Sequence, residues 1–350
     1  KIAKENLQML QSQKVDVRKA LQAELENLSV QKISNIDIKI SDVNYQRVNT
    51  RLVPISVVIT DSEIVVGTKD GSLVSFSHGL ELLQTKAGKR SISEHPCLPT
   101  SAKQYFGLPY EFHHSAVLSL SYNKTLVSAS SNCCLLQNGT FHLKKISTAA
   151  QTQQLLFVAA DKQIFISNIL DRVLLYQMVG HVDAVNQIFP LPMSNQFITA
   201  SSDASLRLFD FEAQSQLVYL ADSFLESCFA FNNEWFVGCG EAVFLFSRQK
   251  RNFVQKVEFE GDFIDRIISC CAGIYQYNIL LVGMKNQIKV FRFSGQSLKL
   301  ESQIQVEGFV NDINIKIVGQ KILVAFALGG ERKRDRLEVL EAKKQVGVFC

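Results

Sequence analysis

From residue 52 onward the hydrophobic positions fall into short runs separated by turns. Each unit reads as an apolar strand, a turn, a second strand ending in small residues, a tight turn and a third strand. The stretch from Glu63 to Phe76 shows it, as do 154–167, 196–209, 234–246 and 279–291. No long helical pattern interrupts these runs, which argues against a βαβ sheet. Short strands repeating at blade length indicate a closed ring of sheets. Blades are expected at about 52–85, 112–146, 147–179, 180–220, 221–260, 261–306 and 307–350. The predicted fold class is all-β, a seven-bladed β-propeller with an N-terminal α-helix, divided into a helix at 1–30 and a propeller at 31–350.

The helix prediction rests on Leu7, Leu10, Val17, Leu21 and Leu28, whose spacings put them on one stripe. Lys14 and Glu24 interrupt a strict heptad seam. Such a helix packs on its own propeller or binds a partner, and the pattern leaves both open. Ile36, Ile38 and Ile40 alternate with polar residues, and a strand there is expected to pair with the last blade and close the ring. Residues 86–111 break the repeat. They hold Pro96, Pro99 and Pro109 and open on Lys86, Lys89 and Arg90, so a long insertion loop is expected.

Composition narrows the function classes. With 47% hydrophobic and 20% charged residues, a large core is available and disorder is excluded. The longest apolar run, Ile322 to Leu328, falls far short of a membrane span, so no membrane association is expected. The eight cysteines include the adjacent pairs Cys133-Cys134 and Cys270-Cys271 and no C-x-x-C. Adjacent thiols suit neither a relaxed disulfide nor a zinc site, so free buried thiols in a reducing compartment are expected.

Phosphate-binding, zinc-protease, nucleophile-elbow and dinucleotide-binding motifs are all absent from the sequence. No catalytic residue, cofactor or metal is expected, and the chain is read as no enzyme. Gly238 and Gly240 lie in a strand pattern, where glycine marks close packing. The His113-His114 pair sits at a blade start, not in a ligand set. Basic clusters are more informative: Arg332, Lys333, Arg334 and Arg336 after Gly329-Gly330, then Lys343 and Lys344; Arg248, Lys250 and Arg251; and Lys86, Lys89 and Arg90. Each is a solvated turn taken singly, but several on one face of a ring would displace counterions from nucleic acid. The net charge of +4 permits an acidic partner without demanding one.

Gly180-His181, Asp203 in a tight turn and Phe209-Asp210 together resemble the WD40 repeat. The resemblance implies a structural network from Asp203 to His181 and on to the Thr199 or Ser201 hydroxyl, which accounts for His181 without acid–base chemistry. Phe209 stands where the repeat usually has tryptophan and supplies no N–H, so the network is truncated. Asp70 repeats the turn position six residues before Phe76.

The last repeat is more specific. Gly308-Phe-Val-Asn-Asp-Ile313, Ile322-Leu-Val-Ala325, Gly329 to Arg336 and Glu341-Ala-Lys-Lys344 occur in order. This resembles the final blade of the WD-repeat subunit of the U3 small nucleolar ribonucleoprotein, with Asp335 and Leu337 departing from that family's pattern. The N-terminal helix, the basic insertion ending at His113 to Leu118 and Gly180 to Val185 are similar to that family too. The resemblance implies a nucleolar scaffold that binds the box B/C region of U3 snoRNA for small-subunit pre-rRNA processing. Its implied partners are U3 snoRNA, the small kink-turn-binding protein of the particle and other processome proteins, with the chain a monomer in isolation. RNA-binding candidates are then Lys86, Lys89, Arg90, Arg332, Lys333, Arg334, Arg336, Lys343 and Lys344. The alternative is a protein-binding WD40 scaffold without RNA contact.

Overall fold

The computed structural model describes residues 46–49, 52–86, 106–107, 113, 115–136, 139–192, 194–319, 321–329 and 345–349. The described residues form antiparallel sheets arranged as a β-propeller. Four are plain four-stranded meanders, at 54–86, 146–178, 185–220 and 225–258. A fifth, at 117–142, gains an outer strand from Phe106–Gly107, which pairs with Thr140 and Phe141. The predicted insertion loop therefore contributes a strand. The sixth sheet has six strands: Cys270–Ile274, Ile279–Phe293, Leu298–Val318, Lys321–Gly329, Gln345–Phe349 and, closing it, Gln46–Asn49.

Burial explains the strand sequences. Leu155–Ala160 and Leu225–Ala230 are buried throughout, because neighbouring sheets cover both faces, and their sequences are nearly continuous apolar or small runs. The outer strands meet solvent and alternate instead, as in Asn252–Glu258. Adjacent sheets share apolar clusters rich in phenylalanine. Phe189 packs edge-on against Phe229, and Phe231 stacks on Phe293 with centroids 4.4 Å apart.

The first strand of each four-stranded meander lies innermost, as do Val117–Asn123 and Cys270–Ile274 in the two larger sheets. A bulge recurs near its start, between Pro54 and Ser56, Val117 and Ser119, Ile146 and Thr148, Val185 and Gln187, and Leu225 and Ser227. It recurs once more inside the sixth sheet, between Val310 and Asp312. The bulge turns polar side chains sideways onto the next sheet. Ser56 Oγ donates to Val117 O (2.8 Å), Ser147 Oγ to Val185 O, and Asn186 Nδ2 to Leu225 O (2.7 Å).

Ring closure uses the same device more heavily. Val57 and Ile59 N–H donate to Asp312 Oδ2 (2.9 Å) and Asn314 Oδ1 (3.2 Å), while Asn311 Nδ2 donates to Pro54 O (3.0 Å). Val57, Ile59 and Val66 pack there with Leu323, Ala325 and Ala327. The N-terminal partner of the last strand is Gln46–Asn49, where Gln46 opposes Val348 and Asn49 opposes Gln345. Residues 36–40, expected in that role, and the helix expected at 1–30 lie outside the described residues.

Candidate nucleic-acid interface

Every inner strand begins on one face of the ring, and the second and fourth strands of each meander end there. The loops on that face include the turns headed by Asp70 and Asp203. The best-built of them joins Gln196–Ser201 to Ser205–Asp210. Asp203 heads this turn, and Ala204 takes a left-handed φ of 60° to complete it. The Asp203 carboxylate accepts from His181 Nδ1 (2.9 Å), Val182 N (3.0 Å), Ser205 N (3.0 Å) and Ser205 Oγ (2.6 Å). His181 Nε2 lies 2.7 Å from Thr199 Oγ1. A neutral imidazole fits both contacts: Nδ1–H donates to Asp203 and Nε2 accepts the Thr199 hydroxyl.

Both side chains are out of solvent, at 0% and 1% exposure. Burial lowers the His181 pKa and outweighs the Asp203 carboxylate, which raises it. For Asp203 burial acts upward, yet the bonds from Ser205, His181 and Val182 together bring it down to about 2. Phe209 is buried, stacks on Phe197 at 5.1 Å and has its ring 6.0 Å from His181. It closes one side of the site by packing, without a hydrogen bond to the histidine. The whole arrangement clamps the loop entering one sheet to the turn within it.

Asp70 builds a smaller version. Its carboxylate accepts from the Thr68 and Ser72 hydroxyls and from Ser72 N. Burial pushes its pKa up, but these bonds leave it lowered. Gly71 takes φ 90°, and a Cβ there would lie 2.7 Å from His113 O, so the turn admits only glycine against the neighbouring loop.

A further network escapes sequence reading. His113 is fully buried, with Nε2 2.7 Å from Ser128 Oγ and Nδ1 3.7 Å from Cys133 Sγ. Strand register equates Ser128 with Thr199 and Cys133 with Ser205, but this turn is one residue shorter and contains Asn132. The spacing gives no signal, since His113 precedes Ser128 by 15 positions whereas His181 precedes Thr199 by 18.

The basic candidates divide between the faces. Lys86 ends strand Leu82–Lys86 beside Leu73, on the face of the Asp203 turn. Lys89, Arg90, Arg332, Lys333, Arg334, Arg336, Lys343 and Lys344 lie outside the described residues. The described chain nevertheless leads into those segments at Lys86 and Gly329, and both ends open on this face. Exposed Lys69, Lys144, Lys145 and Lys162 occupy its neighbouring loops. Arg248, Lys250 and Arg251 sit in the turn between Ala242–Ser247 and Asn252–Glu258, on the opposite face. Arg248 is further engaged with Gln196 Oε1 at 3.1 Å.

The inner strands enclose a cavity of about 430 Å³, lined by residues such as Ser121, Gln151, Gln187 and Asn311. Among the described residues no group of three or more His, Cys, Asp or Glu side chains could hold a metal ion. The six described cysteines are buried and form no disulfide with one another, and burial pushes the Cys134, Cys228 and Cys239 thiols well up. Such thiols are poor nucleophiles and poor ligands. Gly240 lies so close to Phe224 O that a Cβ would collide with it, so this glycine serves packing. No described helix is long and apolar enough to cross a membrane.

No protein-family model matches the chain, and no curated protein matches it. Solved structures do. One described as the structure of U3-55K aligns with a TM-score of 0.72 at 19% identity, covering 87% of this chain and 98% of its own. A crystal structure of RRP9 WD40 repeats aligns with a TM-score of 0.72 at 18% identity, covering 88% and 99%. At that identity the shared property is the WD40 propeller fold.

Proposed function

We propose that this chain is a non-catalytic RNA-binding scaffold, the WD40 subunit of a U3 small nucleolar ribonucleoprotein. It holds the box B/C region of U3 snoRNA beside the kink-turn-binding protein and serves small-subunit pre-rRNA processing in the nucleolus. The observation that carries this reading is the near end-to-end alignment with U3-55K and RRP9. It agrees with the sequence resemblance in the last repeat. The lysines around the Asp203 face supply the electrostatics: exposed ammonium groups over the sheets at 54–178 attract phosphate without reading sequence. Arg332, Lys333, Arg334 and Arg336, joined by Lys343, Lys344, Lys86, Lys89 and Arg90, are proposed as the contacts. Arginine suits phosphates, 2′-hydroxyls and unstacked bases alike.

We also read the propeller as seven-bladed, the six-stranded sheet being two blades sharing long strands. Support comes from the register shift at Lys285 and Gln287, and from apolar packing of Ile279, Leu281 and Val290 against Val310, Val324 and Phe326. Ultraviolet crosslinking in cells, purification of the chain and sequencing of the attached RNA test the function. Enrichment of U3 fragments around box B/C is expected. Recovery of no RNA above background, with protein partners retained, would leave the protein-binding scaffold as the reading.

A further inference from the structure

The face that carries the exposed lysines is electrically divided. Over the sheets at 225–258 and 270–293 it turns acidic. Asp222, Glu241, Glu258, Glu260, Asp262 and Asp265 outnumber the cations there, Lys256, Arg266, Lys285 and Lys289, the last with its ammonium 4.9 Å from the Phe259 ring centroid. Lys256 is held by Asp222 and Glu258, both at 2.6 Å, and Lys285 by Asp265 at 2.7 Å. The Lys256 pairs tie the loop at 221–224 to the end of strand Asn252–Glu258, and the Lys285 pair ties the loop at 259–269 to strand Ile279–Phe293. Glu260 and Asp262 are exposed beside them.

Within this acidic rim the chain displays apolar groups. The short helix Phe263–Arg266 buries none of its residues, and Phe263 and Ile264 are 51% and 45% exposed. Leu220, two residues before Asp222, is 66% exposed. The loop is anchored from below instead, by buried Ile267 and Ile268 and by the bond from Ile268 N to Gly240 O (2.8 Å). It is a supported platform that holds a phenylalanine and an isoleucine in water, a typical layout for a protein-binding site.

We propose that this sector docks a basic amphipathic segment of a partner protein, with Phe263 and Ile264 seated in its apolar side and Glu260, Asp262 and Glu258 facing its lysines or arginines. Charge complementarity selects the occupant. Nucleic acid is repelled by the acidic rim, whereas a cationic segment is attracted to the rim and covers the apolar groups. The inference stands apart from the RNA reading, which uses the other half of the face.

The probe is a synthetic amphipathic helical peptide with leucines on one side and lysines and arginines on the other. It is titrated against the full chain by fluorescence anisotropy. Binding is expected to weaken with salt. It should also weaken by more than about tenfold in Phe263→Ser/Ile264→Ser, and likewise in Glu260→Lys/Asp262→Lys. Both variants alter exposed loop positions, so an unchanged thermal midpoint verifies folding. No binding to the wild type, or equal binding by wild type and both variants, overturns the proposal. Hydrogen exchange of the free chain provides a second check. Fast exchange at 261–266 is expected, and slow exchange without peptide overturns the proposal by showing that another part of this chain already covers the sector.

Discussion

Replacing Asp203 by alanine removes the acceptor at the centre of the best-built turn. The carboxylate takes four hydrogen bonds, three of them from the buried residues His181 and Ser205. Val182 is exposed, and its N–H finds water when the carboxylate is gone. Leaving these three buried donors without their acceptor costs about 3 kcal/mol or more, at about 1–3 kcal/mol each. The ionisation of the same group gives an independent figure. A carboxyl lowered from 3.8 to about 2 in the fold contributes ~2.5 kcal/mol at neutral pH. The sign is that of a depressed acid: the contribution is full above the unfolded pKa near 3.8 and fades as pH falls through about 2. The side chain is 1% exposed, so solvent screening takes little from this figure. Urea unfolding of wild type and Asp203→Ala, followed by the fluorescence of Trp235, reads the difference. The midpoint should fall while the slope holds. Asp203→Asn, which keeps one acceptor oxygen, should lie between them. An unchanged midpoint for Asp203→Ala would refute the clamp.

Two more predictions concern the same skeleton. Because burial depresses the His181 pKa, the unfolded chain takes up the proton first, so stability should fall as pH drops below about 6.5. The difference between wild type and His181→Gln across that window isolates this residue, and parallel pH curves would contradict it. Asp312→Ala strips the acceptor from Val57 N–H at ring closure. It should lower stability by about 1–3 kcal/mol and speed hydrogen exchange at Val57 more than at Val158, and uniform exchange would argue against a side-chain seam.

The strands were legible because inner ones are continuously apolar and outer ones alternate, so Leu155–Ala160 and Asn252–Glu258 announce their depth in the ring. The His181 and Asp203 pairing was legible because the repeat spaces them. His113 was read only as a blade start, since its turn is one residue shorter and offers Asn132 and Cys133 in place of the acid and the serine. The closing seam was invisible for another reason: Asp312 and Asn314 reach partners 255 positions away, and nothing local in the sequence marks such a contact. The strand at Phe106–Gly107 is too short to show a period against the surrounding prolines. Charge clusters could be found in the sequence but not assigned to a face. Connectivity of the strands separates Lys86 and Gly329 from Arg248, Lys250 and Arg251.

The most direct test of the RNA-scaffold account is a titration of U3 box B/C RNA, with the kink-turn protein present, over a range of salt concentrations. The chain is compared with its Arg332, Lys333, Arg334 and Arg336 alanine variant. Removing a side chain that neutralises one phosphate should reduce the salt slope by roughly 0.7–0.9, so the variant should bind more weakly and less steeply. Equal affinity and equal slope, with folding intact, would contradict the account and return these residues to ordinary solvated charge.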